Sequence, residues 1–289
     1  MQAGQPSITA MRAARSRAKH QLFDTPLIFE DQLSLRILGS AEEDSLRSER
    51  SSGGLLARAF RAGLVARSRI AEDELHEAVK RGVRQYVVLG AGLDTFAYRN
   101  PYPRAALQVF EVDHPATQAW KKKRLAEAAI AVPGDLRFVG IDFETQSLGE
   151  RLRQAGYDFS APGQFSCLGV TMYLGRSAVM ETLQFVAAGT PGSGIVFDYV
   201  PGYSSRGPLG KLFLRMLAYR FARLGEPWKG LFEPEMLAAE MTAMGFSQVS
   251  DISAEELNSR FFKDRRDHLK FNAFGMKLAR LGHVMVAHK

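Results

Sequence analysis

The feature that most constrains this chain is a change of texture at Arg84, from which short apolar runs alternate with longer amphipathic segments. That alternation is the pattern of βα units wound around a parallel sheet. Five runs fit it: Gln85 to Leu89, Gln108 to Val112, Arg137 to Ile141, Phe165 to Val170 and Gly194 to Val200. Helix-like stretches separate them around His114 to Ala131, Gln146 to Ala155 and Arg176 to Ala188. Because such crossovers are right-handed, the units build one doubly wound sheet.

The remainder of the chain is arranged around this core. Residues 1 to about 82 read as helical and contain no evident strand. Leu56, Ala59, Phe60, Leu64, Ile70, Leu75 and Val79 recur at spacings of three and four, as one bent helix or two. After Val200, helical patterns at Leu209 to Leu224 and Pro234 to Met244 interrupt the alternation, the second stopped by Gly245-Phe246. Two late strands, Ser247 to Ile252 and His283 to Ala287, are expected to pair antiparallel at a sheet edge. The expected organisation is a helical N-terminal cap over 1–82 and a core over 83–289, with a helical insertion at about 201–232.

The 46% hydrophobic content supports one large core without disulfides or metals. The single cysteine, Cys167, excludes an internal disulfide, and no Cys/His group has zinc spacing. With no apolar leader and no long uncharged apolar run, a soluble, cytoplasmic protein with no membrane partner is expected. A formal charge of +7 raises the question of nucleic acid, but the basic residues are scattered among acids. The densest run, Lys121-Lys122-Lys123-Arg124, reads as a solvated helix face.

In an open α/β sheet, ligands bind beyond the carboxyl ends of the strands. Gly90-Ala91-Gly92-Leu93-Asp94 follows the first strand, where glycines let backbone approach a ligand closely. A tight turn without a ligand would use the same glycines. The second strand ends Phe110-Glu111-Val112-Asp113, with Glu111 and Asp113 on one side and able to accept hydrogen bonds from ribose hydroxyls. A salt-bridged surface acid is the alternative. The third ends Ile141-Asp142-Phe143, a carboxylate acceptor for an exocyclic adenine amine beside an apolar ring, or an N-cap for the next helix. A dinucleotide fingerprint would place a third glycine where Thr95 stands. Asp94 puts negative charge where a pyrophosphate would lie, which favours a cationic sulfonium cofactor.

The segment from Gly82 through Gly90-Ala91-Gly92-Leu93-Asp94-Thr95-Phe96-Ala97-Tyr98-Arg99 resembles the signature of the leucine carboxyl methyltransferase-like family, which includes bacterial O-methyltransferases. In order follow Phe110-Glu111-Val112-Asp113-His114-Pro115, Ile141-Asp142-Phe143, Val170-Thr171-Met172-Tyr173-Leu174 and Gly225-Glu226-Pro227-Trp228 before Gly245-Phe246. The resemblance runs from about Arg17 to the C-terminus. It implies a Rossmann-like class I methyltransferase fold, α/β with a seven-stranded, mostly parallel sheet, a helical N-terminal cap and an insertion lid. It implies S-adenosyl-L-methionine as cofactor, held at the Gly90 and Gly92 turn, with Gly90 at its methionine part, Asp113 at the ribose, and Asp142 with Phe143 at the adenine. Arg67 would pair with the cofactor carboxylate, and Arg17 would be a second basic partner. The family often has Glu before the glycine of the fourth strand's motif, where this chain has Leu168.

The expected reaction is O-methylation of a carboxylate or hydroxyl of a small metabolite, with Tyr173 the candidate to line the acceptor pocket or else a packed aromatic with its hydroxyl at the surface. Phe213, Met216, Tyr219, Phe221 and Trp228 would supply apolar surface to the lid over that pocket, or simply pack the cap. A nucleic-acid methyltransferase is the rival prompted by charge. It is disfavoured because Thr171-Met172-Tyr173-Leu174 lacks the Asn/Asp-Pro-Pro-aromatic signature of amino-methylating enzymes. A cofactor-binding protein without turnover is the third reading, and Leu168 is its support.

Overall fold

The computed structural model describes residues 8–51, 53–103, 106–202, 207–223, 227–266 and 282–289. Three helices precede the first strand: α1 (Ile8–Phe23), α2 (Ser40–Ser48) and α3 (Leu55–Lys80). The pattern expected to be one helix or two between Leu55 and Lys80 is one helix of 26 residues. The alternating region follows as β1 (Gln85–Leu89), β2 (Gln108–Asp113), α4 (Pro115–Glu127), β3 (Leu136–Gly140), α5 (Leu148–Gln154), β4 (Gly163–Cys167), α6 (Arg176–Ala187) and β5 (Gly194–Tyr199). The chain then forms α7 (Pro208–Ala222), α8 (Pro234–Met244), β6 (Gln248–Ile252), α9 (Ala254–Phe261) and β7 (His283–His288).

These strands form one seven-stranded sheet in the order β3-β2-β1-β4-β5-β7-β6. The first five are parallel, and β7 lies antiparallel between β5 and β6. The late pair therefore sits at the sheet edge as expected, although α9 intervenes between its strands. The fourth strand ends three residues earlier than the apolar run Phe165 to Val170 suggested: Gly169 leaves extended backbone with a φ of +75°, and a short 3₁₀ helix follows at Thr171–Tyr173.

The sheet is buried on both faces, so its central strands read as continuous apolar runs. Alternation divides them: Val87, Leu89, Phe110, Val112 and Phe165 pack with Leu152 of α5, Leu183 of α6 and Met241 of α8. Tyr86, Val88 and Val109 face the other way, toward Leu75 of α3. Further along α3, Leu64, Val65 and Ile70 pack with Val196 of β5 and Val284 and Val286 of β7. Local signals set the helix ends. Ser147 and Ser253 cap α5 and α9 by accepting the amides of Glu150 and Glu256, each three residues on. Gly245, in the left-handed conformation, ends α8.

Two helix readings change. Lys121 is no solvated lysine: it is buried on α4, 2.8 Å from Glu111 of β2, whereas Lys122 and Lys123 are exposed. In α7, Met216 and Tyr219 face solvent rather than a pocket. Phe221 stacks on Trp228 with ring centroids 5.2 Å apart. The Phe213 side chain, and Gly225 and Glu226 of the sequence motif, lie outside the described residues.

Candidate functional site

After β3 the chain crosses back to lay β4 on the other side of β1, so the strand order reverses between β1 and β4. This is the position where carboxyl-end loops diverge and leave a crevice. A cavity of about 590 Å³ lies there, lined by the turn after β1, the ends of β2 and β4, the loop after β3, and side chains from α1 and α3. That size is ordinary for a cofactor or substrate site.

Gly90 and Gly92 both have positive φ, +67° and +46°. The space is as restrictive as the dihedral, since a Cβ on Gly90 would come 2.1 Å from Val170 Cγ2. The Gly90 amide donates to the Val112 carbonyl at 2.7 Å, tying the turn to β2. Asp113 completes the tie: its carboxylate accepts from the Gly92 amide and from the His114 amide, each at 2.6 Å. Burial raises its carboxyl above the ordinary value, opposed by these two hydrogen bonds. Asp94 lines the cavity and accepts the Phe96 amide at 2.8 Å.

Asp142 and Phe143 line the cavity together. Asp142 does not cap α5, a place taken by Ser147; it accepts the Glu144 amide at 3.0 Å and so shapes the loop that presents Phe143. Glu111 is the residue the structure removes from the expected set. Its side chain does not line the cavity and is wholly buried between Lys121 and the Tyr98 hydroxyl, which donates at 3.1 Å. Residues two apart share a face of β2, but Asp113 stands at the open end while Glu111 lies beneath helix α4.

The two arginines differ in what they hold. Arg67 reaches from α3 to Asp198 of β5, forming a short ion pair, and Asp198 also accepts the Gly169 amide at 2.5 Å. The Arg67 Nε is buried without a hydrogen-bond partner among the described residues, and Arg67 lines the cavity. Arg17 lines it too, but its Nε donates to Asp31 at 3.1 Å and its Nη2 to the Leu93 carbonyl at 2.5 Å. One of its nitrogens therefore holds the glycine turn and another holds Asp31. Asp31, fully buried, also lies 3.5 Å from Arg99, which pairs with Glu72 and donates to Thr95 at 3.1 Å.

Leu168 lines the cavity beside Gly169 and leans on the α3 core. Tyr173 lines the cavity, as do Leu174, Pro227 and Lys229, and its hydroxyl lies 3.4 Å from Thr9 Oγ1 of α1. Lys229 pairs with Glu144 at 3.1 Å. Sequence reasoning missed Asp198, Asp31 and Arg99. Asp198 had a signal, because a carboxylate inside the apolar run Gly194 to Val200 must find a partner when buried. Asp31 and Arg99 lie in irregular segments where no periodicity marks them.

The leucine carboxyl methyltransferase family model matches residues 10–187. YktD of Bacillus subtilis strain 168, named as an S-adenosyl-L-methionine-dependent methyltransferase, is 32% identical over 293 residues, covering 93% of this chain and 95% of that protein. A Mycobacterium avium strain 104 protein of the same description is 36% identical over 142 residues, 48% of this chain and 46% of that one. Among solved structures, one described as a methyltransferase from Thermobifida fusca YX superposes with a TM-score of 0.55 at 16% identity, covering 100% of this chain and 96% of that one. At that identity the likeness speaks for the fold.

Proposed function

The chain belongs to the leucine carboxyl methyltransferase family and is an S-adenosylmethionine-dependent methyltransferase; on that premise we propose that it methylates an oxygen, carboxylate or hydroxyl, of a small molecule. The observation that carries this reading is a single cavity lined both by Gly90, Asp113, Asp142 and Phe143 and by Tyr173, Pro227 and Lys229. A cofactor and a small acceptor would then meet within one space.

The donor set fits the cofactor. Asp113, held by two amides, offers a carboxylate to ribose hydroxyls, and Asp142 with Phe143 offers an acceptor and a ring to the adenine. Arg67, with an orphaned buried Nε, suits the amino-acid carboxylate of the cofactor. Gly90 lets the backbone approach the methionine part. Arg17 we assign to bracing the turn. When bound, the cofactor would supply an electrophilic methyl carbon on its sulfonium, to which the acceptor oxygen bonds as the carbon–sulfur bond breaks and S-adenosylhomocysteine leaves.

Such a displacement needs alignment and exclusion of water more than a strong acid or base. Thr9 and Ala10 of α1 line the cavity and enclose it from the N-terminal side. Tyr173 would orient the acceptor, and a carboxylate acceptor is already ionised at neutral pH. We further propose that α1 to α3 act as a cap on the core.

The test is incubation of the full chain with isotopically labelled cofactor and fractionated metabolite extract, followed by alkali. A labelled methyl ester releases labelled methanol and a labelled ether retains it; either supports the reading. Label on nitrogen or sulfur, or in nucleic acid alone, overturns it.

A further inference from the structure

The outer face of α7 is unexplained by the cavity or the core. Leu209, Leu212, Met216 and Tyr219 form one strip at spacings of three and four, and they are 75%, 66%, 60% and 67% exposed. Isolated exposed apolar side chains are unremarkable, but a continuous strip along a helix marks a contact surface. Lys211 and Arg220, both exposed, flank the strip on opposite sides, and Arg223 follows at the end of the helix. Residues 201–225 contain five basic side chains and no acidic one. Four of them, Lys211, Arg215, Arg220 and Arg223, are exposed on or at the end of the helix that carries the apolar stripe.

We propose that α7 docks this protein on an anionic lipid surface, lying in the plane of the interface. Leu209, Leu212, Met216 and Tyr219 enter the headgroup and acyl boundary while Lys211, Arg220 and Arg223 reach lipid phosphates, as in interfacial amphipathic helices. At 15 residues α7 is too short to span a bilayer, and among the described residues no helix is long and apolar enough to do so. Charge decides between a lipid surface and a second copy of the chain. A two-fold contact would bring the same basic strip against itself, whereas anionic lipid complements it.

The inner face of α7 supports the geometry. Leu214 is fully buried against Met172 and Val200, in a cluster that Tyr173 and Trp228 join. One side of the helix is thus anchored to the core beside the cavity, which leaves the other side to face outward as a rigid surface. Leu55, Leu56 and Phe60 are also exposed, at the start of α3. Since α3 ends near the start of β1, its beginning lies toward the carboxyl edge of the sheet, the edge from which α7 departs after β5.

The experiment is co-sedimentation of the full chain with phosphatidylcholine vesicles and with vesicles containing one-third phosphatidylglycerol. Wild type is expected to partition at least about tenfold more strongly onto the anionic vesicles and to be released by raised salt. Replacing Lys211→Gln, Arg220→Gln and Arg223→Gln together should lower partitioning by roughly 100-fold. Leu212→Ser with Met216→Ser should abolish it. Both variants should keep wild-type melting temperature and S-adenosylhomocysteine affinity, since they alter exposed positions. Equal or absent partitioning of wild type overturns the proposal, as does unchanged binding by folded variants. So does a dimer in sedimentation velocity that Leu212→Ser with Met216→Ser dissolves while neither protein binds vesicles, which would assign the face to a second copy.

Discussion

Gly90→Ala is the perturbation whose cost can be worked most directly from the coordinates. At φ +67° an alanine occupies the left-handed region, at a cost of about 1–2 kcal/mol. Its methyl would also sit 2.1 Å from Val170 Cγ2, where ordinary carbon contacts are about 3.5–4.0 Å. The turn and the loop after β4 must therefore part by more than about 1 Å, an overpacking cost of about 1–3 kcal/mol. The sum is about 2–5 kcal/mol of stability, read as a lowered urea midpoint at unchanged slope. The displaced turn should also weaken S-adenosylhomocysteine binding by about tenfold or more. Adding Val170→Ala removes the obstructing methyls, so a double-mutant cycle should show about 1–3 kcal/mol of rescue, with the backbone cost remaining. A Gly90→Ala protein with wild-type midpoint and affinity, or a cycle with no coupling, would refute this account of the turn.

Other expectations follow from neighbouring contacts. Lys121→Met strands the Glu111 carboxylate and should destabilise by about 3–5 kcal/mol in urea titration, while adding Glu111→Gln recovers most of the loss and cofactor affinity stays unchanged. Burial raises the Asp113 carboxyl above 3.8, so its contribution to folding is present below that value and is lost as pH rises through the raised one. Cofactor affinity runs the opposite way, because the ionised form accepts the ribose hydroxyls: calorimetry should show binding lost as pH falls through the raised value, with Asp113→Asn flattening that dependence. Arg67→Ala removes the charged partner of Asp198; a stability loss of about 1.5–3 kcal/mol and weakened S-adenosylhomocysteine binding are expected, and thermal melts with calorimetry check both.

What could be read in the sequence follows periodicity and chain order. The five parallel strands and the glycine turn are local patterns, and the ordered motifs from Gly90 to Tyr173 resemble one family closely enough to imply the sheet that holds them. Glu111 shows where such reading ends, because period-two alternation gives its face of the strand but not that α4 would bring Lys121 across it. Arg17 shows the same limit: its partners Asp31 and Leu93 are set by packing between distant segments. Asp31 and Arg99 stand in irregular segments, and α9 is a single short amphipathic stretch hidden between two strand candidates. The outward turn of Met216 and Tyr219 was not readable either, since an amphipathic helix does not declare which apolar face its neighbours will cover.

The most direct test of the central claim is isothermal titration of S-adenosylhomocysteine into the purified full chain and into Asp113→Ala. The account predicts saturable binding at one site per chain for the wild type and affinity lower by about 10- to 100-fold for the variant. No saturable heat with the wild type, or equal affinity in the two proteins, would contradict it.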